Sequence, residues 1–154
     1  AKTMIIDGQT AITAKLDDIL ARLPTCADGS NPVGGECLTI SADRELRADA
    51  ATACASAGGV LATMTAANAA TIYGLIFATD NMKAWLGLMR PDRGAYQWDD
   101  GSAYGAYTAW QGGSEPDASA EDCVEVTATS SSTGNWDSKR CSSRRYYVCS
   151  TPPQ

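Results

Sequence analysis

Six cysteines, Cys26, Cys37, Cys54, Cys123, Cys141 and Cys149, constrain this chain more than any other feature. None forms a CxxC pair, so a structural zinc or thioredoxin-like site is not expected. An even number at wide spacing reads as a disulfide framework, and hence as a secreted protein from an oxidising compartment. Counting alone leaves many pairings open. Cys26 and Cys37 do flank a turn-rich stretch at hairpin spacing, which suits a local bridge. The opening AKTMIID lacks a basic region followed by an apolar run, so a mature or trimmed chain is expected. No Asn-x-Ser/Thr sequon occurs, so N-glycosylation is not expected.

At 154 residues and 44% hydrophobic content, the chain has room for one ordinary core plus an appendage. A net charge of −6 argues against nucleic acid, which needs a basic face. No run of about 18 apolar residues exists to span a membrane. The chain has no histidine. That removes the commonest general base, every Ser-His or Cys-His nucleophile pair and the commonest zinc ligand, so an enzyme is not expected.

The appendage is the N-terminal stretch, residues 1–24, with a domain over 25–154. Residues 3–23 read as a helix that Pro24 ends. Ile5, Ile12 and Ile19 repeat every seven residues, and Gln9, Leu16 and Leu23 fill the other seam position. Leucine and isoleucine in those positions lean toward three or four strands rather than two. This predicts a short coiled coil and a homo-oligomer through residues 3–23. The alternative is an amphipathic helix lying on its own domain. Breakers fill residues 24–38. A second helix is expected over 41–57, capped by Ser41, with Leu46, Ala50, Ala53, Cys54 and Ala57 on one face. A third is expected over 65–79, burying Ala69, Ile72, Tyr73 and Ile76. Strand signals follow at 60–62, 85–88, 96–98, 123–127, after Trp136 and at 146–149. Helices first and an antiparallel sheet second is an α+β pattern. The stretch from Gly101 to Ala120 has no strand period, and a loop that long in a compact domain is usually functional.

Near the end of that loop, Glu115, Asp117, Glu121 and Asp122 crowd around Pro116 within eight residues. Adjacent carboxylates repel unless a cation or a donor satisfies them. Hard oxygens on a loop suit calcium, which takes about 6–8 oxygens in irregular geometry. A solvated acidic loop is the alternative.

These residues resemble the C-type lectin-like domain over about 26–150. Trp85-Leu86-Gly87-Leu88 is similar to that family's WIGL core strand, and Trp98-Asp99-Asp100-Gly101-Ser102 to its W-x-DGS turn. Trp110 through Asp117 resembles its EPN loop. Glu121-Asp122-Cys123-Val124 resembles its EDCV strand, the Trp136 to Cys141 spacing its WNDxxC, and Tyr147-Val148-Cys149 its closing strand. The resemblance implies the family's fold, two helices packed on small antiparallel sheets with a long calcium loop. It implies Cys54–Cys149 and Cys123–Cys141, with Cys26–Cys37 as the extra bridge of long-form domains. It also implies that the first helix is an oligomerising neck.

In sugar-binding members of that family one calcium sits on the long loop and binds two vicinal sugar hydroxyls. Carried over residue by residue, Glu115, Asp117, Glu121 and Asp137 would hold Ca2+. The same four with Ser138 would contact the carbohydrate. Pro116 would be the family's cis-proline. Two departures stand out. The triplet Glu115-Pro116-Asp117 is neither the mannose-type EPN nor the galactose-type QPD, and Asp137-Ser138 replaces Asn-Asp. The set therefore has acceptors but no amide donor, since ionised carboxylates only accept. Ser138, Lys139 and Ser114 are the candidate donors. The positions of a second calcium site hold Arg90 and Ala118, so that site is expected to be absent. Trp110 is expected in the core, with Tyr104 and Tyr107 as candidates to stack on a sugar. Lys139, Arg140, Arg144 and Arg145 form a basic cluster, read either as a counterweight to the acidic loop or as a site for an anionic glycan. The expected function is a secreted, calcium-dependent lectin, multivalent through its neck. The alternative is a domain of this type that binds a protein, a surface or a glycan without calcium.

Overall fold

A computed structural model describes residues 11–19, 21, 23–117 and 120–154. Residues 11–19 form helix α1. Eight strands and two further helices follow: β1 Asn31–Val33, β2 Glu36–Ile40, α2 Arg47–Ser56, β3 Val60–Leu61, α3 Ala69–Phe77, β4 Lys83–Met89, β5 Gln97–Trp98, β6 Cys123–Ala128, β7 Gly134–Lys139 and β8 Tyr146–Thr151. The sheet runs β1-β2-β8-β4-β6-β7, with β3 on β8 and β5 on β4. This is the expected α+β class. The pairings are antiparallel except β4 with β8, which run parallel.

Strand alternation separates two cores. Ala84, Leu86 and Leu88 of β4 and Val124, Val126 and Ala128 of β6 face α3, whose Ala69, Ile72, Tyr73 and Ile76 are buried. Trp85 and Cys123 face the other way, onto Ala50 and Cys54 of α2. Both faces of the central strands are thus covered, which explains why β4 reads as a continuous apolar run. Buried charges on the α2 side are paired. Arg47 of α2 donates to both carboxylate oxygens of Asp99 at 2.9 Å. Arg145 donates to the buried Glu125 at 2.6 Å and lies over the Trp85 ring.

The three disulfides are Cys26–Cys37, Cys54–Cys149 and Cys123–Cys141. The first clasps the β1–β2 hairpin, in a stretch read above only as turns. The second helix starts later than expected, at Arg47 rather than 41. Ser41 does not cap it: its hydroxyl donates to the Asp43 carbonyl and accepts the Tyr147 N–H. Glu45 bridges to Arg145 instead of entering the helix. The third helix is also shorter, because Thr65 and Asn68 first exchange side-chain bonds with each other's N–H groups.

The neck prediction over 3–23 is described only in part, and Ile5 and Gln9 lie outside the described residues. Within α1 and just after it, Ile12, Leu16, Ile19 and Leu23 are 51–62% exposed. The stripe is therefore not covered by the domain, against the reading in which α1 lies on it. Among the described residues no helix is long and apolar enough to cross a membrane.

Gly87 is required by close approach. A Cβ there would sit 2.6 Å from the Leu61 carbonyl oxygen, where β4 passes the end of β3. Gly87→Ala is expected to cost about 1–3 kcal/mol by overpacking. Urea denaturation should show the midpoint falling; an unchanged midpoint would mean that β3 and β4 can part freely.

Candidate functional site

The long segment between β5 and β6 stands on an aromatic shelf. Trp110 is buried and bridges in parallel to Trp136. Their rings meet edge to face with centroids 5.4 Å apart. Trp98 packs on Trp136 at 5.7 Å and Tyr96 on Trp110 at 4.8 Å. Such pairs add about 0.5–1.5 kcal/mol each beyond their area. Trp110 is thus core, as expected. Tyr104 and Tyr107 turn inward too, rather than outward as sugar platforms. The Tyr104 hydroxyl accepts the Trp110 indole N–H at 2.9 Å, and Tyr107 packs on Trp136 at 5.9 Å. Their apolar rings are better satisfied on the shelf than in water.

A 3-10 turn at Gln111–Gly113 lifts the chain off this shelf and carries it into the acidic stretch. Glu115 and Asp117 are exposed there, and Glu121 is exposed just before β6. Asp137 and Ser138 lie half-buried on β7, opposite Glu125 and Val124 of β6. Trp136 points into the core, so the pleat sends Asp137 to the other face and Ser138 to the Trp136 side. Glu121 meets Arg140 at 3.8 Å and Asp137 meets Lys139 at 3.4 Å. Two of the expected ligands are therefore each paired with a separate cation. The four acids are not gathered into a cage: among the described residues no three His, Cys, Asp or Glu are arranged to hold a metal. Nor is any described peptide bond cis, so Glu115–Pro116 is trans. Trans is preferred before proline by about 0.5–1 kcal/mol unless contacts hold the other isomer.

The basic cluster resolves into pairs. Lys139 and Arg140 meet Asp137 and Glu121, Arg144 meets Glu45 at 3.3 Å, and Arg145 meets Glu125. Each cation has an acid within 4 Å, the arrangement expected of a counterweight to the acidic stretch.

Below the loop lies a group that sequence reasoning noted only as a missing acid. Arg90 follows β4 and is 3% exposed. Its backbone N–H donates to the Asp122 carbonyl at 3.0 Å, and its guanidinium donates to the Ala120 carbonyl. Nε lies 3.7 Å from Asp122 Oδ1, and Cζ sits 5.2 Å from the Tyr96 ring centre. An arginine directly after an apolar strand was the available signal, since such a residue starts inside the core. The buried Tyr96 hydroxyl finds no hydrogen-bond partner among the described residues. Burial raises its pKa, Arg90 lowers it, and Glu115, Asp122 and Asp137 raise it again. The phenol thus senses three acids of the loop region at once.

This fold, with a long polar loop on an aromatic shelf, is that of a C-type lectin-like domain. A family model for the lectin C-type domain matches residues 44–151, and the chain belongs to that family of non-enzymatic carbohydrate-binding modules. It is similar to the C-type lectin lectoxin-Lio1 of Erythrolamprus poecilogyrus, 29% identical over 140 residues, covering 85% of this chain and 83% of that one. It is 34% identical to the hepatic lectin of Gallus gallus over 82 residues, 51% of this chain and 37% of that protein. Among solved structures, human lithostathine superposes with a TM-score of 0.74 at 28% identity, covering 83% of this chain and 91% of that one.

Burial, then the Glu115 carboxylate, pushes the Tyr104 phenol from 10.0 up to about 12. A raised folded pKa means the fold favours the protonated phenol. That stability is complete below pH 10.0 and lost as pH rises through about 12. Stability measured against pH should therefore fall across this window, and Tyr104→Phe should flatten the fall. The same variant strands the Trp110 N–H, so at neutral pH it should lose about 1–3 kcal/mol. An equally steep alkaline fall in the variant would assign the effect to another group.

Proposed function

We propose that this domain is a secreted, calcium-dependent glycan-binding module. Glu115, Asp117, Glu121 and Asp137 would hold Ca2+, and the same residues with Ser138 would contact the sugar. The observation that carries the reading is that the loop acids face solvent in a member of the lectin C-type family. The donor set fits the ion in chemistry: hard oxygens, with Asp137 and Glu121 meeting exposed side-chain cations at 3.4 and 3.8 Å. Exposed pairs of that kind contribute about 0–1 kcal/mol, so a divalent ion can displace them. Bound calcium would supply a positive centre for sugar hydroxyl oxygens. The carboxylates would accept the hydroxyl protons. Lys139, freed from Asp137, would supply the donor that the absent amide does not.

Calorimetric calcium titration with a glycan array, run with and without chelator, tests this. Calcium should bind, chelator should abolish array signals, and Glu121→Gln should weaken calcium at least about tenfold by removing one charged ligand. A second reading, ligand binding without calcium, is favoured by the trans Pro116 and by the ungathered acids. Array signals that persist in chelator would establish it.

The exposed stripe Ile12, Leu16, Ile19 and Leu23 supports self-association through α1, giving a homo-oligomer that multiplies weak single sites. A domain boundary at 24/25 is supported by paired backbone bonds between Thr25 and Gln154, at 3.0 and 2.9 Å. Removing residues 1–23 should weaken binding to a multivalent surface about 10²–10⁴-fold while leaving monosaccharide affinity unchanged. Loss of both together would make α1 a structural part of the domain.

A further inference from the structure

We infer that Arg90 is a positioning residue, a built-in cation that presents Glu121 outward whether or not a metal is bound. Its contacts fall on both sides of that glutamate. The guanidinium donates to the carbonyl of Ala120, and the backbone N–H donates to the carbonyl of Asp122. Nε faces the Asp122 carboxylate at 3.7 Å. Between those two held neighbours the Glu121 side chain is 50% exposed.

The guanidinium suits this task. Its planar fork can face a carbonyl and a carboxylate together. Its burial is offset by the hydrogen bond to the Ala120 carbonyl, by the Asp122 carboxylate 3.7 Å from Nε, and by the face of Tyr96, 5.2 Å away. Lys139 and Arg140 differ in kind, since their side chains are 40% and 79% exposed and can swing away. The region thus has one fixed cation beneath the chain and two displaceable ones outside it. The inference rests on the proposed function only in taking Glu121 as a ligand; the ordering of 120–122 stands apart from it.

Two effects of Arg90 on calcium oppose each other. Its charge repels the ion, while its grip spares the ion the work of ordering the loop. Positioning requires the grip to prevail. Hydrogen exchange of peptides covering 118–123, recorded in chelator, reads the grip with no metal or glycan present. Wild type should be protected there. Arg90→Lys, which keeps the charge and loses the fork, should exchange at least about tenfold faster in that peptide, with β7 unchanged. Calcium affinity of the same variant should fall about three- to tenfold. Arg90→Met, if it folds, should lose more on both counts.

Wild-type protection that appears only on adding calcium would overturn the inference. So would a lysine variant that exchanges like wild type, or variants that bind calcium more tightly. If wild type is protected in chelator and the lysine variant is not, the grip is established. Failure of wild type to bind calcium would then count against the proposed function alone.

Discussion

The last strand closes everything that precedes it. β8 hydrogen-bonds to β2, β3 and β4, which come from three separate parts of the chain. Neither core is complete until residues near 150 meet residues near 37, 61 and 85. Contacts at such separation are slow to form, because loop closure must be met before the contacts return anything. Cys54–Cys149, spanning 95 residues, fastens that closure to α2. In the chain-entropy picture a loop of that length is worth about 4–5 kcal/mol. Fastened this way, the fold does not depend on the long segment between β5 and β6 for its closure.

That independence lets the segment be polar. Its underside is supplied by Trp110 and Tyr107 resting on Trp136 and by Tyr104 against Tyr96 and Trp110, and its return is tied by Cys123–Cys141 and by Arg90. The upper side carries Glu115, Asp117 and Glu121, residues that could not be buried unpaired. Rigid support below and unburied acids above are what a binding loop needs: the scaffold bears the order, and the loop bears the chemistry.

Much of this was legible in the residues, and the reasons differ by element. The buried face of α3 follows from 3.6-residue periodicity, and β4 from an apolar run short enough to be a strand. Hairpin spacing pointed to Cys26–Cys37, while Cys54–Cys149 and Cys123–Cys141 followed from family resemblance. The start of α2 was misread because Ser41 looks like a cap in one dimension, while in space its hydroxyl belongs to Tyr147 across the sheet. The inward turn of Tyr104 and Tyr107 was missed for a similar cause. An aromatic on a glycine-rich loop has no local signature of direction, and only Trp110 and Trp136 set it. Charge partners such as Arg140–Glu121 and Arg144–Glu45 are likewise invisible without the fold, because the second joins residues 99 apart.

The electrostatics of the loop region then follow from where each cation is rooted. The buried Arg90 guanidinium cannot leave without giving up the Ala120 carbonyl and the nearby Asp122 carboxylate, so it acts as part of the scaffold. Surface ammonium and guanidinium groups leave at little cost, so they act as occupants. Acids where the family has amides raise the negative charge of the outer loop region, and exposed cations on β7 and just beyond it meet that charge. On the proposed reading, the same acids that would attract a divalent ion also recruit its competitors. Lys139 and Arg140 are each paired with a single carboxylate, whereas a bound divalent ion would have to draw several of them together.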